Sequence, residues 1–336
     1  MSNFLDLPDL ASERLGGAVL ATNDEFFAPK EGLLKEGPPE WREGVYTERG
    51  KWMDGWETRR RGVPGFDWCV LRLGVPGIVR GLVVDTSFYT GNYPPECSVE
   101  GCIAPGTPSP TELLDPATEW FEILPRSPLK GDAANLFPVD GTRRATHLRL
   151  NIFPDGGVAR LRVHGRVVPA WTKFARAGGE VDVAALENGG WVVSCSDMFY
   201  GHRQNLILPG RSRFMGDGWE TQRRRGPGHD WSIVRLAATS TLHRVELDTD
   251  HYKGNAPDRF MLEGIHLPGA TAEALSDPSA PWTTIIGETV LQPHARYRFE
   301  DGLASTGPFS HARLSIFPDG GIARLRLFGT LPDELR

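Results

Sequence analysis

No Cys-x2-Cys pair and no His-Glu-x-x-His string occurs in the 336 residues, and four cysteines (Cys69, Cys97, Cys102, Cys195) are too few for a disulfide framework. They read as buried thiols, and nothing calls for a metal or other cofactor. No apolar run approaches the roughly 18 residues of a membrane helix. The opening residues MSNFLDLPDLASERLGG lack the basic-then-apolar order of a signal peptide, so a cytoplasmic protein without a membrane partner is expected. Positive charge is not in excess: 37 Lys and Arg stand against 43 Asp and Glu, for a net charge of −6. That balance argues against a nucleic-acid partner and for a small molecule. Helix signals are also scarce. Only PDLASERLGG and VDVAALENGG look like single short helices, each opened by an Asp cap and closed by glycine.

The sequence is, by contrast, rich in repetition. DGWETRRRG at 54–62 returns as DGWETQRRRG at 217–226, and the offset of 163 holds without a gap from Asp54 to Gly101, with 21 of 48 positions identical. HLRLNIFPDGGVARLRVHG (147–165) returns as HARLSIFPDGGIARLRLFG (311–329), and DLASERLGGAVLATNDEFFA (9–28) aligns with DVAALENGGWVVSCSDMFYG (182–201). The chain is therefore one unit written twice, with domains expected at 1–168 and 169–336 and a linker over 166–180. The first copy carries about ten extra residues in its loop from Lys30 to Gly50.

Within each copy, short strands rich in β-branched residues or leucine are punctuated by Gly and Pro: DWCVLRLG, GLVVDTSFY, HLRLNIF and VARLRVHG. Residues 147–165 read as a hairpin with one wet face, turned by Pro-Asp-Gly-Gly. The expected fold is all-β: a tandem of two antiparallel β-sandwiches of the jelly-roll kind. The pattern alone leaves an immunoglobulin-like sandwich open.

The strings DGWETRRRG, DTSFYTGNYPP and FPDGG, with their second copies, resemble the allantoicase family over nearly the whole chain, from about Asp9 to Gly329. The resemblance implies two galactose-binding-like jelly rolls and a hydrolase converting allantoate and water to ureidoglycolate and urea. A non-catalytic small-molecule or carbohydrate-binding tandem sandwich is the alternative, and a homo-oligomer and a structural Ca2+ are left open.

Allantoate carries a carboxylate and two ureido groups on one carbon. Releasing intact urea while leaving a hydroxyl breaks the bond from that carbon to a ureido nitrogen, which asks for an acid, a base and an anion clamp. Glu57, Glu220, Asp248 and His251 are the candidate acid and base groups. Arg60, Arg61, Arg223 and Arg224 are the candidate clamps, because a guanidinium fork matches a carboxylate. Asp85, Asn92, His229 and Asn255 are candidate contacts to the ureido groups. The competing reading of the arginine strings is a surface strand of alternating charge over a core Trp56 or Trp219, with Asp54 and Asp217 as turn residues. Asp85 and Asp248 compete with plain Asx turns. His229 and His251 replace Phe66 and Phe88, so the second copy is expected to be the active one, with the first as scaffold or as one wall of a shared cleft.

Overall fold

A computed structural model describes residues 4–171 and 180–332 together with Leu335. The chain forms two compact units, Met1–Val168 and Pro169–Arg336. Most of the expected linker, residues 172–179, lies outside the described residues. No described helix is long and apolar enough to cross a membrane.

Each unit is organised by one 19-residue strand, Asp67–Asp85 in the first and Asp230–Asp248 in the second. Sequence reading divides the first of these into DWCVLRLG and GLVVDTSFY, yet the strand continues through residues 75–80. It exchanges its neighbours there. Its first half lies between Ala18–Thr22 and Arg144–Phe153, and the second half lies between Ala134–Pro138 and Arg160–Val167. The register against Arg144–Phe153 shifts between Arg72 and Gly77. The second unit has its shift at the same place, between Arg235 and Ser240, without a proline, so topology rather than Pro76 sets it. The seven-stranded sheet of the first unit is completed by Glu96–Cys102 and Phe121–Pro128.

Side chains alternate along these strands. Cys69, Leu71, Leu82, Val84, Leu148, Leu150, Leu161 and Val163 share the buried core with Trp56. Val70, on the opposite face, packs with Cys102 and Leu113 beneath Trp68 and Trp120. Leu113 belongs to a short helix, Pro110–Leu113, opened by a capping box between Ser109 and Glu112.

Two expectations need correction. Residues 147–165 are not a hairpin, because Arg144–Phe153 and Arg160–Val167 pair with different halves of the long strand. Pro154-Asp155-Gly156-Gly157 carries the chain from the first half of the long strand to the second, and its flanking polar residues are not wet: Asn151 and Arg160 are buried. The two expected helices are single 3₁₀ turns, Glu13–Leu15 and Leu186–Asn188, closed by Gly16 and Gly189 in the left-handed region. Asp9 and Asp182 do not cap them. Each carboxylate accepts from a nearby backbone N–H and from the backbone N–H of Val163 or Leu327, tying the amino-terminal turn to the last strand of its unit.

His147 and His311 sit at equivalent buried positions, opposite Arg72 and Arg235 on the long strands. Burial, helped by the facing arginine, pushes each imidazole down to about 4. Between that value and the ordinary 6.5 the unfolded chain binds more protons, so stability rises with pH across this window and is lost as pH falls through it. Thermal unfolding at pH values of about 5 and about 8 checks this. The double variant His147→Asn, His311→Asn is expected to lose less stability on acidification than the wild type, and an equal loss would contradict it.

Candidate active site

Three repeated strings interlock at one end of the first unit. Trp56–Glu57 pairs with Gly157–Val158, and the backbone N–H of Gly157 donates to the Asn92 carbonyl at 2.8 Å. The fully buried Tyr89 ring lies against Gly157, where a Cβ would come within 1.9 Å of it. Thr58 Oγ1 accepts from the backbone N–H of Gly156. Packing therefore requires the glycines of FPDGG, and the same contact sets the position of Asn92.

Asn92 Nδ2 donates to Glu57 Oε1 at 2.7 Å. Glu57 is only 8 % exposed, and burial raises its carboxyl above the ordinary glutamate range, more than the Asn92 bond and the Arg60 charge lower it. This pair lines a cleft of about 540 Å³ walled by Phe27, Trp41, Met53 and Phe88, with Lys51, Thr90 and Asp132 as polar lining. Among the described residues no group of three or more His, Cys, Asp or Glu is placed to hold a metal ion.

The arginines of the first string are held by carboxylates. Arg59 pairs with Asp24 at 2.7 Å, Arg60 with Asp155 at 3.0 Å, and Arg61 with Asp67. Arg60 also donates to the Gly91 carbonyl. In the second unit Arg224 is joined to Asp230. The candidate clamps of the first unit thus hold loop to loop, and none of them is among the described residues that line the cleft. Asp54, at a bend, and Asp217, the last residue of the 3₁₀ turn Met215–Asp217, are turn residues that also serve as buried ion-pair centres: Asp54 binds Arg160, Lys35 Nζ at 2.7 Å and the backbone N–H of Glu40, and Asp217 pairs with Arg324. Asp85 and Asp248 form Asx turns, accepting from the backbone N–H of Ser87 and Asp250.

The second unit keeps the pair but not its surroundings. Glu220 is hydrogen-bonded by Asn255 and is raised by burial. Met215 Sδ lies 3.4 Å from Asn255 Nδ2, and the Tyr252 hydroxyl donates to the Met215 carbonyl at 2.8 Å. In the first unit the equivalent Tyr89 hydroxyl has no hydrogen-bond partner among the described residues. The two histidines that favour the second copy in the sequence are engaged elsewhere: His251 Nε2 lies 3.0 Å from the Ser212 carbonyl and the His229 ring packs tilted against Phe317 at 4.6 Å.

Sequence reading missed Trp41 and Lys51. Their signal was present as the ten-residue excess of the first copy, an insertion that ends just before Lys51 and has no counterpart in the second copy.

The allantoicase repeat model matches residues 8–168 and again 181–332. A probable allantoicase of Pseudomonas aeruginosa is 46% identical over 323 residues, covering 96% of this chain and 95% of that protein. One from Photobacterium profundum is 45% identical, with 97% of each chain covered. The crystal structure of allantoicase from Saccharomyces cerevisiae superposes with a TM-score of 0.79 at 32% identity, covering 96% of this chain and 92% of that one. With both repeats matched and relatives of this identity covering nearly every residue, the chain belongs to the allantoicase family.

Proposed function

We propose that the cleft of the first repeat is where this chain does its chemistry: as a member of the allantoicase family it hydrolyses allantoate to ureidoglycolate and urea in purine degradation. The carbohydrate-binding alternative is not favoured by that membership. The observation carrying the choice of site is the buried Glu57 carboxyl, raised by burial and fixed by Asn92, at an open cleft large enough for a diureide. A carboxyl raised this way holds a proton closer to neutral pH, as a general acid requires.

The protonated Glu57 gives its proton to one ureido nitrogen. The bond from that nitrogen to the central carbon breaks, its electron pair staying with nitrogen, and urea leaves. The lone pair of the second ureido nitrogen forms a C=N bond to the same carbon as this happens. Water then adds to that carbon, and the proton it sheds returns to Glu57. Asn92 holds the carboxyl in one orientation throughout.

Carbon NMR of the reaction mixture tests the assignment. Urea and ureidoglycolate are the expected first products, while ammonia and carbon dioxide without urea would place the attack on the ureido carbonyl and overturn it.

A further inference from the structure

We propose that Lys51 recognises the substrate carboxylate, presented by Trp41 on the loop that only the first repeat carries. This rests on the reading that the cleft binds allantoate. Lys51 is the one cation among the described residues lining the cleft, and the lining also includes the carboxyl groups of Glu57 and Asp132. An anionic substrate in such a cleft needs a positive partner.

The arginines are not available for that role. Arg59, Arg60 and Arg61 are each paired with an aspartate. Lys51 differs from them: among the described residues no carboxylate lies within ion-pair distance of its ammonium. Its Nζ instead lies 3.9 Å from the centre of the Trp41 ring, and that ring packs on Phe88 at 5.6 Å. A cation–π contact steadies an ammonium from one side, and the N–H donors turned away from the ring remain free for a carboxylate. Asp132, the other lining carboxylate beside Glu57, is not within ion-pair distance of the ammonium, and its Oδ1 is turned to the backbone N–H of Phe88.

The loop bearing Trp41 is fixed to the body of the repeat at Asp54, which binds both Lys35 and the backbone N–H of Glu40. In the second repeat Phe214 stands at the position of Lys51 in the 163-residue offset, and no residue corresponds to Trp41. The Glu–Asn pair is thus duplicated, whereas the carboxylate partner is not.

Steady-state kinetics on the full-length enzyme tests this. Lys51→Met is expected to raise KM for allantoate by about 10- to 100-fold, the scale of a hydrogen bond to a charged group, with kcat changed little. Lys51→Arg should recover most of the loss. Inhibition constants separate charge from loop structure: N-carbamoylglycine, which carries a carboxylate and one ureido group, should weaken as KM does, and methylenediurea, which has no carboxylate, should be unchanged. An unaltered KM in Lys51→Met, or equal weakening of both inhibitors, would overturn the role of Lys51. The cleft reading fails separately, if Glu57→Gln retains full activity.

Discussion

Glu57→Gln is expected to lower kcat by about 10²-fold or more, the scale on which a general acid contributes, while Glu220→Gln leaves it within about twofold. Glutamine keeps the shape and still accepts from Asn92, so the loss reports the missing proton rather than a collapsed cleft. The same substitution is expected to stabilise the fold near neutral pH. The Glu57 carboxyl is raised in the folded state, so its ionised form opposes folding above its folded pKa, and the penalty vanishes as the group protonates in acid. The glutamine variant should therefore melt higher than the wild type at a pH of about 8 and level with it at about 4. Such opposition of activity and stability is the usual mark of a functional buried carboxylate. A large loss in Glu220→Gln with none in Glu57→Gln would move the chemistry to the second repeat, and equal losses would make both pairs catalytic.

Arg160→Ala is expected to cost the first repeat about 3–5 kcal/mol, the range for removing one partner of a buried ion pair. Arg160 is 3 % exposed and donates to Asp54 Oδ2 and to the carbonyls of Gly32, Gly37 and Asp54. Burial alone would raise the Asp54 carboxyl, but the Arg160 and Lys35 side chains and the Glu40 N–H together hold it below the ordinary aspartate range. Without Arg160 much of that compensation goes. Calorimetry should show a fall of roughly 10 °C in the melting of this repeat. Asp54→Asn combined with Arg160→Ala should cost less than the sum of the single changes, since the two residues form one interaction. A loss below about 1 kcal/mol would show that the pair is not what holds the loop.

Much of this was legible in the chain. The duplication, the β-rich pattern and the coupling of Glu57 and Asn92 to repeated strings could all be read, because packing requires those strings to recur. The short helix Pro110–Leu113 was missed, although the spacing of Ser109 and Glu112 is that of a capping box. What misled was charge without partners. A row of arginines beside an acid reads as an anion site, yet Asp24, Asp67 and Asp155 come from other segments and engage the arginines in ion pairs. Pairing across residues 94 and 95 apart, as between Asp155 and the Arg60–Arg61 step, leaves no periodic trace. The false hairpin at 147–165 has the same origin: alternation reveals which face of a strand is buried, but not which strand lies beside it. Phe66 and Phe88, replaced by His229 and His251, pointed to the second copy. Hydrogen bonding and ring packing give those histidines other partners, while the insertion before Lys51 was legible only as a difference in length.

The most direct test is a crystal structure of the Glu57→Gln enzyme soaked with allantoate, in which slowed turnover preserves the substrate. One diureide is expected in the first-repeat cleft, with a ureido nitrogen against Asn92 and the amide that replaces the Glu57 carboxyl, and with the carboxylate toward Lys51. Density for allantoate at Glu220 and Asn255, with the first-repeat cleft empty, would contradict it.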